Sequence, residues 1–156
     1  MKIKIITVGK LKHKHWQLAE KEYTSRIERY VQLEQVVVKN TPADSYKNVV
    51  EALASEAGSI LAKIAADEFL VALAIHGEEW HSEQLTAWLR EKMLHGCKKI
   101  TFVVGGASGL SEEILDKAQL QLSLSKMTLP HEMAKVVLLE QLYRAFSILN
   151  GEKYHK

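Results

Sequence analysis

Short apolar runs and longer stretches of helical period take turns along this chain. "IKIITVG" (3–9) predicts a strand. "HWQLAEKEYTSRIERYV" (15–31) predicts an amphipathic helix, because Trp16, Ala19, Tyr23, Ile27 and Tyr30 fall on one face. "LEQVVVK" (33–39) is a second strand. Pro42 marks the loop after it, and Asp44 and Ser45 are candidate caps for a helix running to about Ala66. The core face of that helix would use Val49, Val50, Leu53, Ala57, Ile60, Leu61 and Ile64.

The alternation then continues. "EFLVALAIHG" (68–77) is apolar on both faces, as an interior strand of a parallel sheet requires. Ser82 should cap a helix to about Leu94, closed by Gly96. "KKITFVVGG" (98–106) is another buried strand. Ser111, followed by Glu112 and Glu113, opens a short helix with negative charge at its positive end. "LQLSLS" (120–125) is a short alternating strand, and a last helix runs from about Glu132 to Leu149 before Asn150-Gly151. Alternating strands and helices predict an α/β fold: a mainly parallel sheet flanked by helices, in one domain spanning 1–156.

The bulk properties narrow the class. A chain of 156 residues buries enough surface to need no disulfide or metal staple. A single Cys97 cannot pair within the chain, which suits a reducing compartment. The first ten residues alternate with Lys and lack a cleavage signal, and no segment has the length of a membrane span; a cytoplasmic protein is expected. Nothing has metal-ligand spacing, so no metal is expected. Net charge is only +2, but "KLKHKH" (10–15) and "EKYHK" (152–156) concentrate positive charge that could meet phosphates.

In open α/β sheets, ligands sit beyond the carboxyl ends of the strands. Three such ends carry informative residues: Ile75-His76-Gly77, the glycine loop "VVGGASGL", and Ser123 to Pro130. The glycine spacing is neither that of a dinucleotide fingerprint nor that of a phosphate-binding loop, so a small oxidoreductase is disfavoured. Leu129 precedes a proline and should be extended, leaving Ser123 to Leu129 with free backbone groups beside the apolar walls Leu124, Met127 and Leu129. The closing helix is apolar around too much of its circumference for a helix packed on one side. It is either central in the monomer or half of a dimer interface, and the small chain favours the dimer. Glu140 and Arg144, four residues apart, are placed for an ion pair.

At "VVGGASGL", "LSLSKMTLPHEMAKVVLLEQLYRAFSI" and the final "YH", the sequence resembles the RlmH family of SPOUT-class methyltransferases, and the likeness extends from "MKIKIITVGKLK" to "GEKYHK". The resemblance implies a sheet whose C-terminal part forms a trefoil knot, against the general rarity of knots. It implies a homodimer that binds S-adenosyl-L-methionine and methylates N3 of a pseudouridine in 23S ribosomal RNA of the assembled ribosome. Carried over by residue, it assigns the cofactor to Leu73, Gly105, Leu124, Ser125, Lys126, Met127, Thr128 and Leu129. His131, Lys135 and Tyr154 would handle substrate, and His155, Glu140 and Arg144 would be catalytic. Lys135 departs from the arginine of many relatives; lysine keeps the charge but loses the bidentate fork.

The implied chemistry needs a proton removed from an imide nitrogen. His155 or Glu140 could take it, and Arg144 could stabilise the oxygen charge that develops. The residues do not rank His155 against Glu140. The rival function is a nucleotide- or ribosome-binding module without catalysis.

Overall fold

The computed structural model describes residues 1–40, 49–152 and 154. The expected caps Asp44 and Ser45, with Pro42, lie outside the described residues, as does His155. Five strands form one sheet: β1 (Lys2–Val8), β2 (Gln32–Val38), β3 (Phe69–Glu79), β4 (Lys99–Val104) and β5 (Leu120–Ser123), in the order β2-β1-β4-β3-β5. Every pairing is parallel. All strands therefore end on the same edge, and the sites for loops that can hold a ligand are gathered there.

Strand alternation builds two cores from one sheet. Ile3, Ile5, Val71, Ile100, Phe102, Leu120 and Leu122 face α1 (Lys14–Ile27), α3 (Ser82–Leu94) and α5 (His131–Leu149). Ile6, Val8, Val38, Leu70, Ala72 and Val103 face α2 (Val49–Leu61) and α4 (Glu112–Lys117). The both-faced apolar pattern of 68–77 thus has its expected cause: β3 lies between two strands with helices above and below.

Some local expectations shift. The first helix ends at Ile27 rather than residue 31; Tyr30 and Val31 take up the turn that leads into β2. Val49 and Val50, expected on a core face, are 47% and 74% exposed. The expected Ala57 and Ile60 are buried on that helix, joined by Ala52 and Glu56. His81, not Ser82, is the N-cap of α3; Gln84 Oε1 accepts from its N–H at 2.8 Å, while the Ser82 hydroxyl donates to Gln141 Oε1 of α5 at 2.6 Å. Ser111 caps α4 as expected. Gly96 and Gly151 take the left-handed conformation that ends a helix.

The last helix crosses to the middle of its layer. From β5 at the sheet edge, the chain passes over the carboxyl end of the sheet and lays α5 between α1 and α3. Val136, Leu138, Leu139, Leu142, Ala145 and Phe146 are buried there. Most of its apolar width is covered inside a single chain, so the width by itself does not require a second copy.

The opposite edge of the sheet is held by charge. Lys4 and Lys99 each reach Glu68 Oε1 at 2.8 Å, and the Thr101 hydroxyl donates to Glu68 Oε2. Lys99 and Lys2 also pair with Glu34. Burial alone would raise the Glu68 pKa, but the hydrogen bonds from Lys4, Lys99 and Thr101 outweigh it and hold the carboxyl at about 2. Its ionised form is therefore favoured in the fold. The stabilisation is complete above the ordinary value of 4.5 and is lost as pH falls towards 2. Glu68→Gln, which leaves the buried Lys4 without its carboxylate and Lys99 with Glu34 alone, should lower unfolding free energy by about 3–5 kcal/mol at pH 7. Urea denaturation should show that deficit shrinking as the wild type is taken below pH 4.5.

Candidate functional site

A cavity of about 490 Å³ opens at the carboxyl ends of β3, β4 and β5. Leu73, Ala74 and Ile75 form one wall, the turn from Gly105 to Gly109 a second, and Leu122 to Ser125, Met127 to His131 and Ala134 a third. Two backbone contacts shape it. A Cβ on Gly77 would lie 2.7 Å from the carbonyl of Gln121, and one on Gly105 would lie 2.5 Å from the carbonyl oxygen of Gly109. No side chain fits at either place.

The Gly77 contact accompanies an irregularity in β3. Its register against β5 jumps between Leu73 and Glu78, both of which pair with Leu122. The residues between them bulge out of the ladder and give the cavity Ala74 and Ile75. In the glycine loop, Gly109 stands at φ 80° and donates its N–H to the Gly106 carbonyl at 3.1 Å. The strand backbone is thereby folded back at the cavity floor.

The third wall is the segment after β5. The Ser125 hydroxyl oxygen accepts from the Met127 N–H at 3.0 Å, and the Ser123 hydroxyl donates to the Ser125 carbonyl at 3.1 Å. Among the described residues, no backbone-to-backbone hydrogen bond is made by 124–129. A polar ring edge could take those free groups while Leu73, Val104, Leu124 and Leu129 cover its faces. Of the eight residues expected around a cofactor, Leu73, Gly105, Leu124, Ser125, Met127, Thr128 and Leu129 line this cavity. Lys126 does not: its side chain is 83% exposed, with its ammonium 3.9 Å from Glu79.

The residues expected to handle substrate divide into separate places. His131 lines the cavity mouth. Lys135, expected to handle substrate, is almost wholly buried and ion-paired with Glu20 of α1. Glu140 and Arg144 form their ion pair, with the Arg144 Nη2 donating to Glu140 Oε1 at 2.6 Å. The Tyr154 hydroxyl donates to the same oxygen at 3.3 Å, and the guanidinium carbon of Arg144 lies 4.8 Å from the Tyr154 ring centroid. Hydrogen bonding to Glu140 pushes the Arg144 pKa up. Burial first, then hydrogen bonding to Tyr23, pushes the Tyr154 phenol up to about 12. Glu140 and Arg144 sit six and ten residues along α5 beyond Ala134, the last residue of that helix to line the cavity, roughly 9 and 15 Å at the rise of a helix. One chain does not bring them to the cavity.

Glu132 was not singled out by the sequence. Its carboxylate Oε2 accepts from the Lys12 and His13 N–H groups at 2.9 and 3.2 Å, and His13 Nδ1 lies 3.0 Å from Oε1. Burial would raise its pKa, but the His13 and Lys12 bonds outweigh that and lower it. In sequence it looked like an ordinary first-turn acid of a helix. Its target lies almost the whole chain away, so no local signal could reveal it. Among the described residues, no group of three or more His, Cys, Asp or Glu is placed to hold a metal ion, and no helix is long and apolar enough to cross a membrane.

Residues 1–155 match the family described as Predicted SPOUT methyltransferase. Similar proteins named Ribosomal RNA large subunit methyltransferase H include one from Lysinibacillus sphaericus, 43% identical over 100% of both chains. Another, from Caldicellulosiruptor bescii, is 42% identical over 99% of both. Among solved structures, a probable methyltransferase from Bordetella pertussis superposes with TM-score 0.59 at 15% identity, over 93% of this chain and 94% of that one. A probable methylase family protein from Haemophilus influenzae gives 0.54 at 16%, over 99% of this chain and 70% of that one. At such identities these two speak for the fold alone.

The phenol shift gives a direct check on the Tyr154 environment. Ultraviolet titration of the wild type minus Tyr154→Phe should give a single phenolate step near pH 12. A step near the ordinary value of 10 would mean an open, solvated ring.

Proposed function

The chain belongs to the SPOUT methyltransferase family, and from that premise we propose that it transfers a methyl group from S-adenosylmethionine to N3 of a pseudouridine in 23S ribosomal RNA of the assembled ribosome. The observation that carries the reading is the cavity wall at 124–129, whose free backbone groups stand beside apolar side chains. Full-length relatives named Ribosomal RNA large subunit methyltransferase H support the choice of substrate.

The cavity fits the methyl donor. Its volume lies within the usual range for small-ligand sites. Leu73, Leu124, Met127, Thr128 and Leu129 would hold the donor, with Gly105 admitting it close to the backbone. S-adenosylmethionine, when bound, supplies a methyl group already activated on a sulfonium. The protein's own work is then to orient the pseudouridine and manage its N3 proton. Positioning of this kind lowers a barrier by several kcal/mol. Glu140 or His155 takes the proton from N3, and Arg144 stabilises the negative charge that spreads to the ring oxygen.

A homodimer belongs to the same proposal. Met133, Val137, Gln141 and Ile148 form a half-exposed stripe on α5. The second cavity, about 290 Å³ between Trp80, Leu124 and Val137, continues that stripe towards the donor site. Glu140, Arg144 and Tyr154 belong to the same helix and tail yet stand apart from their own cavity. A second copy docked on this stripe would supply the missing proximity. The trefoil knot is also part of the reading; the return of the chain from edge strand β5 to a helix between α1 and α3 supports it.

Calorimetry with S-adenosylmethionine and methyl transfer to ribosomes from cells lacking the enzyme test the activity. Gly105→Val should abolish donor binding. Arg144→Ala and His155→Ala should leave donor binding intact and slow transfer by about 10²–10³-fold, the size of a lost electrostatic or acid–base contribution. Wild-type protein that binds the donor but methylates no ribosome would leave a binding module. Sedimentation at micromolar concentration should give twice the chain mass for the wild type and a single chain for Val137→Glu.

A further inference from the structure

The basic run at 10–15 has a built attachment to the site. Lys10, Lys12 and Lys14 are exposed, the first two on the loop that joins β1 to α1 and the third at the first position of α1. That loop is not a free arm. Gly9, at φ 84°, donates its N–H to the Val38 carbonyl at 2.9 Å. Gln17 Nε2 donates to the Leu11 carbonyl at 2.8 Å, and the Leu11 side chain is buried. Glu132 then takes the N–H groups of Lys12 and His13.

Glu132 is the decisive observation. A buried carboxylate is costly unless it is hydrogen-bonded, and this one directs its oxygens to the basic loop. A merely solvated surface segment needs no such anchor. Glu132 also follows His131, which lines the cavity mouth. A Cβ on Gly9 would come within 3.8 Å of His131 Nε2, so the loop and the mouth adjoin. The backbone that carries the three lysines is therefore fixed beside the cavity.

We propose that Lys10, Lys12 and Lys14 form the rim that receives the sugar-phosphate backbone of the RNA, and that Glu132 is the positioning residue that holds this rim beside the cavity. The inference rests on the ribosomal reading above. Ammonium groups on flexible stems suit phosphates contacted without regard to sequence. Each phosphate contact releases condensed counterions, so binding weakens with salt in proportion to the number of such contacts.

The test is equilibrium binding of the full-length protein to ribosomes from cells lacking the enzyme, by co-sedimentation across a salt series. Calorimetry with S-adenosylmethionine runs in parallel. The triple change Lys10→Gln, Lys12→Gln, Lys14→Gln should weaken ribosome binding at least tenfold at physiological salt. It should also make the slope of log affinity against log salt shallower by about two to three. Glu132→Gln should speed hydrogen exchange at the Lys12 and His13 amides and weaken ribosome binding several-fold, with donor affinity held within twofold. An unchanged salt slope in the triple variant overturns the rim. Faster exchange in Glu132→Gln with unchanged ribosome affinity overturns its positioning role, and parallel loss of donor affinity reduces it to a fold contact. Wild-type binding to ribosomes without methyl transfer would count against the proposed reaction and leave the rim standing.

Discussion

Two places where backbone passes too close for a side chain set the geometry of this molecule. At Gly77 the bulged end of β3 lies on the backbone of Gln121 and Leu122, and at Gly105 the end of β4 lies on Gly109. Both contacts are at the carboxyl edge of the sheet, where three neighbouring strands end. The first lets Ala74 and Ile75 leave the ladder without prying β5 away. The second turns the chain back so that the floor of the cavity is bare backbone. With any Cβ at these points the backbone facing it would have to shift, and a cavity defined by backbone edges would lose its shape.

Buried carboxylates tie the rest of the fold to that edge. Glu68 gathers Lys4, Lys99 and Thr101 at the amino edge of the sheet, where three strands begin side by side. Glu132 gathers the β1–α1 loop at the carboxyl edge. The two are not equivalent in kind. Glu68 meets ammonium groups, and its contribution is to fix strand ends. Glu132 meets backbone N–H groups, and its contribution is to fix a loop that presents charge to solvent. Lys135, inside the helical layer against Glu20, is a third such pair and locks α5 to α1.

The last helix joins these parts. Its first turn carries His131 at the cavity mouth and Glu132 under the basic loop; its later turns carry Glu140 and Arg144 against Tyr154. One rigid rod thus sets the spacing between cavity, basic loop and polar cluster. The half-exposed stripe on the same rod is where a twin chain would bring the cluster of one copy to the cavity of the other, which is the assembly the proposed reaction uses.

The sequence by itself determined the elements, their alternation and the parallel sheet, because hydrophobic period is a local property and each strand or helix must bury its own apolar face. It also pointed to the glycine loop and to 124–129, since glycines and the residue before a proline restrict backbone locally. The family likeness then implied a role for those residues. Tertiary structure alone decided the rest. The bulge that makes a wall of Ala74 and Ile75 depends on β5, some 45 residues further along the chain. The burial of Lys135 depends on Glu20. Glu132 finds its partners 119 and 120 residues away. Such pairings are set by how layers pack, and no window of sequence contains both halves of any of them.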